Sequence, residues 1–446
     1  MNKTRALCEF LSTMNVERIG KENMLDIRYK LLDWLGCCVA AIDSPCAERA
    51  LRILRAQGGN PMSTAIGSEE KTASHEAAFY NGMISHALEY DDTNKIAITH
   101  PGAPVIAAAF AAAEAYGATL ETLSCGIASG YEAMIRLGAA INPDHYEYWH
   151  TTGTCGAMAA AAAVSRILGL DVEKTETALS IACTMASGLV CVFGTDAKLV
   201  TVGNAARNGL VAAELAAAGY SAPENAFASE KGYARAARGK EDLSFMVPRE
   251  GDKLLLEDAY YKMHASCGHT HSALDALQAL MAEETIAPDA VTRIEVLVYK
   301  TAVTLCAAYQ TETETKAKFS LPFCVSCMLH DGQVTLAQFD AAHLESEALR
   351  AYAQRIEVRE EPAFTADYPV LRKEKVILHM ADGRTIEKQI DLPLGKPETV
   401  FIENKYTSLT GMTVTPEVSG RIRNILMGMK DEDKLDVLGA ALRRLK

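Results

Sequence analysis

The sequence predicts a mainly α protein with a smaller α+β domain, in which a large all-helical domain carries an inserted α+β segment. Three observations support this. Alanine-rich runs at residues 104–116, 156–168 and 205–218 read as central helices packed closely together, because alanine has the highest helix propensity and lets helix axes approach. After about residue 255 apolar and polar side chains begin to alternate, the period of half-buried strands. Beyond Pro397 the helical pattern returns and runs through Leu445. The expected organisation is a helical domain over 1–255, an α+β domain over 256–395, and C-terminal helices over 396–446 that return to the helical domain. A chain of 446 residues is long enough for two domains and a large core.

Residues 25–42 place Ile27, Leu31, Leu32, Leu35, Cys38 and Val39 on one broad face, and Asp43-Ser44-Pro45 ends that helix. Gly58-Gly59-Asn60-Pro61 is the next break, and a helix is expected over 73–89, stopped by the charged stretch that follows. Residues 142–149, aromatic and polar, suit a loop that presents His150 at the start of the next helix. Another helix is expected over 171–188, and 221–250 reads as a surface connection. In the α+β part, 293–299 and 355–359 alternate like strands, while 376–380 and 384–390 flank Ala381-Asp382-Gly383, a hairpin turn. Helices over 272–281 and 322–329 lie between the strands.

A net charge of −13 argues against a general nucleic-acid or membrane-surface binder. The longest apolar run, 103–113, is broken by Glu114 and is too short to span a bilayer. The 12 cysteines are scattered through apolar helical pattern, and the first residues lack the apolar core and cleavage site of a signal peptide. A reducing, cytoplasmic setting is expected.

Chemistry-bearing residues gather in 80–105, where Glu89, Asp91, Asp92, Thr93 and His100 crowd between apolar helical regions. Carboxylates so close repel one another and need cations or protons nearby. The chain supplies His150, Lys198 and the run 262–271 as candidates. Lys198 follows Gly194-Thr195-Asp196 and precedes Gly203-Asn204, so it reads as a lysine in a glycine-flanked loop ahead of a helix N-terminus, where free N–H groups and the helix dipole favour an anion. Residues 266–270 similarly precede a helix, with Lys262, His264 and His269 close in sequence. Two such sites suit a polycarboxylate, and His100 and His150 suit proton transfer near neutral pH.

Each feature also has a plainer reading. A lysine before a helix is as often a solvated charge, His150 can simply cap its helix, and the acidic cluster can be a solvated helix end. Negative charge at a helix C-terminus is unfavourable, which favours a functional role for the cluster. His75, His145 and His343 are assigned to the surface. His264, Cys267, His269 and His271 are metal-ligand types, but their spacing matches no standard zinc pattern, so no metal is assigned. Cys324-Val-Ser-Cys327 reads as a core pair rather than a redox motif. Asp91-Asp92 also has the form of a magnesium-binding aspartate pair, but Lys95 stands where a third carboxylate should be.

The motifs AAFYNGMISHALEYDDT and THPGAPV, WHTTGTCGAMAAAAA, FGTDAKLVTVGNAARNG, YYKMHASCGHTH and AKFSLPFCVSCMLHDG follow one another in the order and spacing of the MmgE/PrpD family, which the chain resembles over essentially its whole length. That family includes 2-methylcitrate dehydratase, cis-aconitate decarboxylase and iminodisuccinate epimerase. The resemblance implies a helical domain with an inserted α+β lid, an active site in the cleft between them, a homodimer, and neither metal nor organic cofactor. It implies a site of Asp91, Thr93, His100, His150, Lys198 and Lys262, with Cys267 or His269 from the lid. His150 is expected to transfer a proton at carbon, with Asp91 orienting a histidine or accepting a substrate hydroxyl and Thr93 holding substrate; Lys198, Lys262 and His100 bind carboxylates.

The chain also departs from the family pattern. Glu89 stands where many members have aspartate, His264 and Ala265 replace the aromatic and proline that usually follow the lid lysine, and Phe323 aligns with a tyrosine of the decarboxylase subgroup. The function expected is dehydration of a 2-methylcitrate- or citrate-like acid. Decarboxylation of cis-aconitate, epimerisation of an iminodisuccinate-like acid, and non-catalytic polycarboxylate binding are the alternatives.

Overall fold

The computed structural model describes residues 2–237, 242–249, 251–393 and 397–445. The chain divides into two compact units: Met1–Ala87 with Asp91–Tyr261 and Pro397–Lys446, and Leu88–Tyr90 with Lys262–Lys396. The architecture is mainly α with a smaller α+β part. The expected boundary at 395/396 lies outside the described residues.

In the first unit, α1 (Lys21–Ala41), α2 (Ser74–His86), α3 (Gly102–Tyr116), α4 (Leu120–Ile141), α5 (Thr151–Ile167), α6 (Val172–Met185) and α7 (Ala197–Ala217) pack around one another. Residues 102–113 of α3 are buried on every side, which is why that helix shows no polar face in the sequence. Thr119 and Asp171 cap α4 and α6 by accepting the N–H groups of Thr122 and Lys174. Where α2 meets α7, a Cβ on Gly203 would lie 2.5 Å from the Phe79 carbonyl oxygen, so glycine there sets how closely the two helices approach. The helix Thr399–Thr410 packs on α1 and pairs Lys405 with Asp33 at 2.7 Å. Both side chains are buried, and burial pushes the Asp33 carboxyl up while Lys405 pulls it down. Losing either partner would strand a buried charge, at about 3–5 kcal/mol.

Three expectations are corrected here. The helix over 73–89 ends at His86, and Glu89 has a φ of +53°, a left-handed backbone that no helix continues through. His145 is fully buried rather than superficial; its ring nitrogens meet the Ala237 carbonyl at 3.1 Å and the Thr154 hydroxyl at 2.8 Å, and burial lowers its pKa to about 4. The connection over 221–250, of which 238–241 and 250 lie outside the described residues, contributes to the core, since Phe227, Ala234 and Met246 are buried.

The second unit contains a four-stranded sheet among its described residues, built from β1 (Val291–Val298), β2 (Ile356–Glu360), β3 (Glu374–Met380) and β4 (Thr385–Ile390) in the order β2-β1-β3-β4. β2 runs parallel to β1, and the β1–β3 and β3–β4 pairs are antiparallel, joined at the expected turn, where Gly383 has a φ of +88°. Val376, Leu378 and Met380 form the buried face of β3, with the alternation that marked the strand in sequence. Helix α8 (His271–Glu283) packs on β3 and β4, and α9 (Leu321–Asp331) packs on α8. Cys324 and Cys327 are fully buried free thiols in α9, in keeping with a core pair.

Candidate active site

In the first unit, His86 is the last residue of α2 and is fully buried. Its Nδ1 lies 2.8 Å from Asp91 Oδ2. Thr93–Asn94 pairs with Ala259–Tyr260 as a short antiparallel ladder, and Asn94 also bridges to Thr99, so the chain doubles back before α3. This turn carries His100 to 3.6 Å from Asp91 Oδ2, with its Nδ1 2.9 Å from the Asp92 carbonyl oxygen. His150 occupies the N-cap position of α5, as the loop pattern suggests, but its side chain makes no cap hydrogen bond. Its Nδ1 meets Thr201 Oγ1 at 2.8 Å.

The rings of His86 and His100 are 4.8 Å apart and those of His86 and His150 5.9 Å apart. Phe193 then bridges to Lys198: its ring meets His150 nearly perpendicularly at 5.0 Å, and Lys198 Nζ lies 5.0 Å from the Phe193 centroid. Asp91, His100, His150 and Lys198 are thereby drawn into one group, together with His86. The Asp91 carboxylate and the Asp92 carbonyl are acceptors, so His86 and His100 each present a donating Nδ1–H. The lone pair of each neutral ring therefore sits on Nε2, the atom able to take a proton.

Asp92 has different neighbours. Its carboxylate accepts from Tyr131 Oη at 2.6 Å and from the Gly102 N–H at 2.8 Å, which ties the start of α3 to α4. Burial raises its pKa to about 6, against the opposing influence of Lys30. Thr93 donates its hydroxyl hydrogen to the Thr99 carbonyl, so it offers a ligand only acceptor capacity.

The loop position expected for Lys198 is corrected, and the plainer reading of Lys198 and the acidic cluster as solvated charges does not hold. Lys198 lies in the first turn of α7 rather than in a loop ahead of a helix. The N–H groups of Lys198, Leu199 and Val200 already bond the carbonyls of Thr195 and Asp196, so any attraction for an anion rests on the ammonium. Neither Lys198 nor the acidic cluster is a solvated surface feature, since Lys198, Glu89, Asp91 and Asp92 are all at most 4% exposed.

In the second unit, Lys262 Nζ donates to the Glu89 carbonyl at 2.6 Å and lies 3.6 Å from the Glu89 carboxylate. Lys318, which sequence reasoning did not single out, donates to the Leu88 carbonyl and to Glu314. These bonds, with Tyr90 Oη to the Met263 carbonyl, anchor Leu88–Tyr90 in this unit. His264 pairs with Asp275 at 3.0 Å, and His269 Nδ1 meets Tyr299 Oη at 2.6 Å. The neighbouring Cys306 thiol pulls the Cys267 pKa down, against the opposing effect of burial. The anion site expected at the start of α8 is already taken: the Ala273 N–H donates to Glu374 at 2.6 Å. Among the described residues, His264, Cys267, His269 and His271 do not gather into one set of metal-ligand atoms.

Sequence reasoning missed His86, Phe193 and Thr201. A signal for His86 was present, since a histidine five residues before Asp91 interrupts an otherwise apolar helix end. Nothing local marks Phe193 or Thr201: Thr201 reaches His150 through the packing of α7 beside α5, and Phe193 from the segment ahead of α7.

Residues 5–246 match the MmgE/PrpD N-terminal domain and residues 264–427 the MmgE/PrpD C-terminal domain. The chain is 26% identical to a cis-aconitate decarboxylase of Aspergillus terreus, over 96% of this chain and 93% of the relative. It is 26% identical to a cis-aconitate decarboxylase-like protein of Aspergillus oryzae, over 96% of this chain and 95% of the relative. It is also 24% identical to human cis-aconitate decarboxylase, over 93% of this chain and 89% of the relative.

Proposed function

The chain belongs to the MmgE/PrpD family, and we propose that it is a lyase acting on a small polycarboxylate by moving a proton at the carbon next to a carboxylate. The observation that carries this reading is the gathering of His86 and His100 at Asp91, with the His150 ring beside His86 and Lys198 beyond Phe193. His150 Nε2 takes or gives the proton, and Lys198 offsets carboxylate charge and the enolate-like charge that develops when the carbon is deprotonated. Asp91 orients His86 and sets negative charge beside His100.

Within that class, cis-aconitate is the first substrate to test, because the Aspergillus terreus and human relatives named above are cis-aconitate decarboxylases. Its decarboxylation breaks one C–C bond and releases CO2; the electron pair shifts through the allylic system, and a proton adds to the carbon beside a remaining carboxylate. Dehydration of a hydroxy acid such as 2-methylcitrate is the second reading. It is favoured by Phe323, which has no hydroxyl and is fully buried against Phe339. In dehydration the proton leaves carbon and the hydroxyl departs as water. Both reactions move a proton at a carbon beside a carboxylate, onto it in decarboxylation and off it in dehydration, where the departing hydroxyl takes up a proton to leave as water.

A proton NMR time course in D2O with cis-aconitate, repeated with 2-methylcitrate, tests the reading. New vinyl methylene signals identify decarboxylation, and hydration or dehydration without loss of carbon identifies a hydro-lyase. No product and no deuterium uptake from either acid would sink the proposal for these substrates.

A further inference from the structure

We infer that Thr201 positions His150 and selects the tautomer in which it works, a role that rests on the proton transfer proposed above. Thr201 Oγ1 donates its hydrogen to the Lys198 carbonyl at 2.7 Å, one helical turn back in α7. A hydroxyl has one hydrogen, so toward His150 Nδ1, 2.8 Å away, Oγ1 can only accept. His150 therefore carries its proton on Nδ1, and the lone pair of the neutral ring is on Nε2. The Lys198 residue thus takes part twice, through its ammonium over Phe193 and through the carbonyl that fixes the Thr201 hydroxyl.

The surroundings hold Thr201 in this role. A Cβ on Gly153 would sit 3.0 Å from Thr201 Cβ and 3.2 Å from Oγ1, and one on Gly188 would sit 3.2 Å from Thr201 Cβ and 3.6 Å from His150 Cβ. Gly188, at a φ of +133°, also accepts the His150 N–H through its carbonyl at 3.1 Å. Glycine at both positions lets α5, α7 and the 188 turn close on the Thr201–His150 pair, and the β-branched threonine adds a stiff χ1. Back-bonding of a threonine to a preceding carbonyl is common in helices. Here that bond uses the only hydrogen of a hydroxyl facing an imidazole, and so decides the direction of the second bond.

The test uses full-length protein labelled with 15N-histidine, with the His150 ring signals identified by their absence from His150→Ala. Above the pH at which the ring loses its charge, wild type should show a protonated Nδ1 and an unprotonated Nε2. Thr201→Val, which keeps the side-chain shape, should lose that pattern, and Thr201→Ser should restore it. A wild-type ring protonated on Nε2, or an unchanged pattern in Thr201→Val, overturns the inference. In turnover of whichever acid proves to be substrate, Thr201→Val should lower kcat by about 10- to 100-fold with KM within about threefold, and Thr201→Ser should recover most of the loss. If no polycarboxylate is turned over, the proposed function fails while the ring signals still decide the role of Thr201.

Discussion

Residues 86–87 and 91–100 of the first unit and 262–271 of the second are alike in composition, each crowding histidines with charged partners, yet the fold treats them differently. In the first, the rings of His86 and His100 converge at 4.8 Å, with His150 joining through the His86 ring at 5.9 Å. In the second, the His264 and His271 rings also lie 5.2 Å apart, but both come from one stretch at the start of α8. Each histidine there has its own partner: Asp275 for His264, Tyr299 for His269, and the Ser266 carbonyl at 3.4 Å for His271. Burial, then the neighbouring His264 and Lys262, lower the His271 pKa, which suits a structural imidazole that stays neutral. Richness in titratable residues is therefore a weak sign of chemistry. Convergence of their side chains from separate helices is the stronger one.

The largest expected effect breaks the converging group. His150→Gln should lower turnover by about 10²–10⁴-fold while KM stays within a few-fold, read from steady-state kinetics; a loss confined to KM would contradict its acid–base role. A second prediction separates neighbours within the first region. Asp92 has a folded-state pKa of about 6, above the ordinary 3.8, because it is buried. Its contribution to stability is therefore full below pH 3.8 and is lost as pH rises through 6, amounting to about 3 kcal/mol. Denaturant midpoints of wild type and Asp92→Asn should diverge in that sense between pH 4 and pH 7, and parallel profiles would refute the role of burial.

Lys198→Met should raise KM by about 10- to 100-fold, as expected for one lost charge-assisted hydrogen bond to a substrate carboxylate. An unchanged KM would remove Lys198 from substrate binding. The smallest effect on activity is expected in the second region: His264→Gln should alter turnover by less than about threefold while reducing stability by about 1–3 kcal/mol through a weakened buried hydrogen bond. A large loss of turnover with intact stability would erase the contrast between the regions.

Much of this was legible in the sequence. The alanine-rich helices and the alternating strands follow from local periodicity, and the turn at Gly383 from its residue type. The loop that presents His150 could be read from its polarity. Helix ends were less legible, because the break after His86 depends on the Glu89 backbone, and the lysines that hold the Leu88 and Glu89 carbonyls lie far along the chain. Within the site, Asp91, His100, His150 and Lys198 stood out by residue type. Thr201 did not, because a helical threonine looks like an ordinary core residue until packing brings its partners to it, and His86 was marked only by its place five residues before Asp91. The occupied start of α8 was hidden for the same reason, its Glu374 partner lying about a hundred residues away in β3.

The central claim is that the converging histidines of the first unit, and not those of the second, move a proton at carbon. Deuterium incorporation from D2O beside a carboxylate, followed by NMR with cis-aconitate, tests it most directly in wild type, His150→Gln and His264→Gln. The account predicts incorporation in wild type and in His264→Gln, and its near-complete loss in His150→Gln. Incorporation that survives in His150→Gln but disappears in His264→Gln would contradict it.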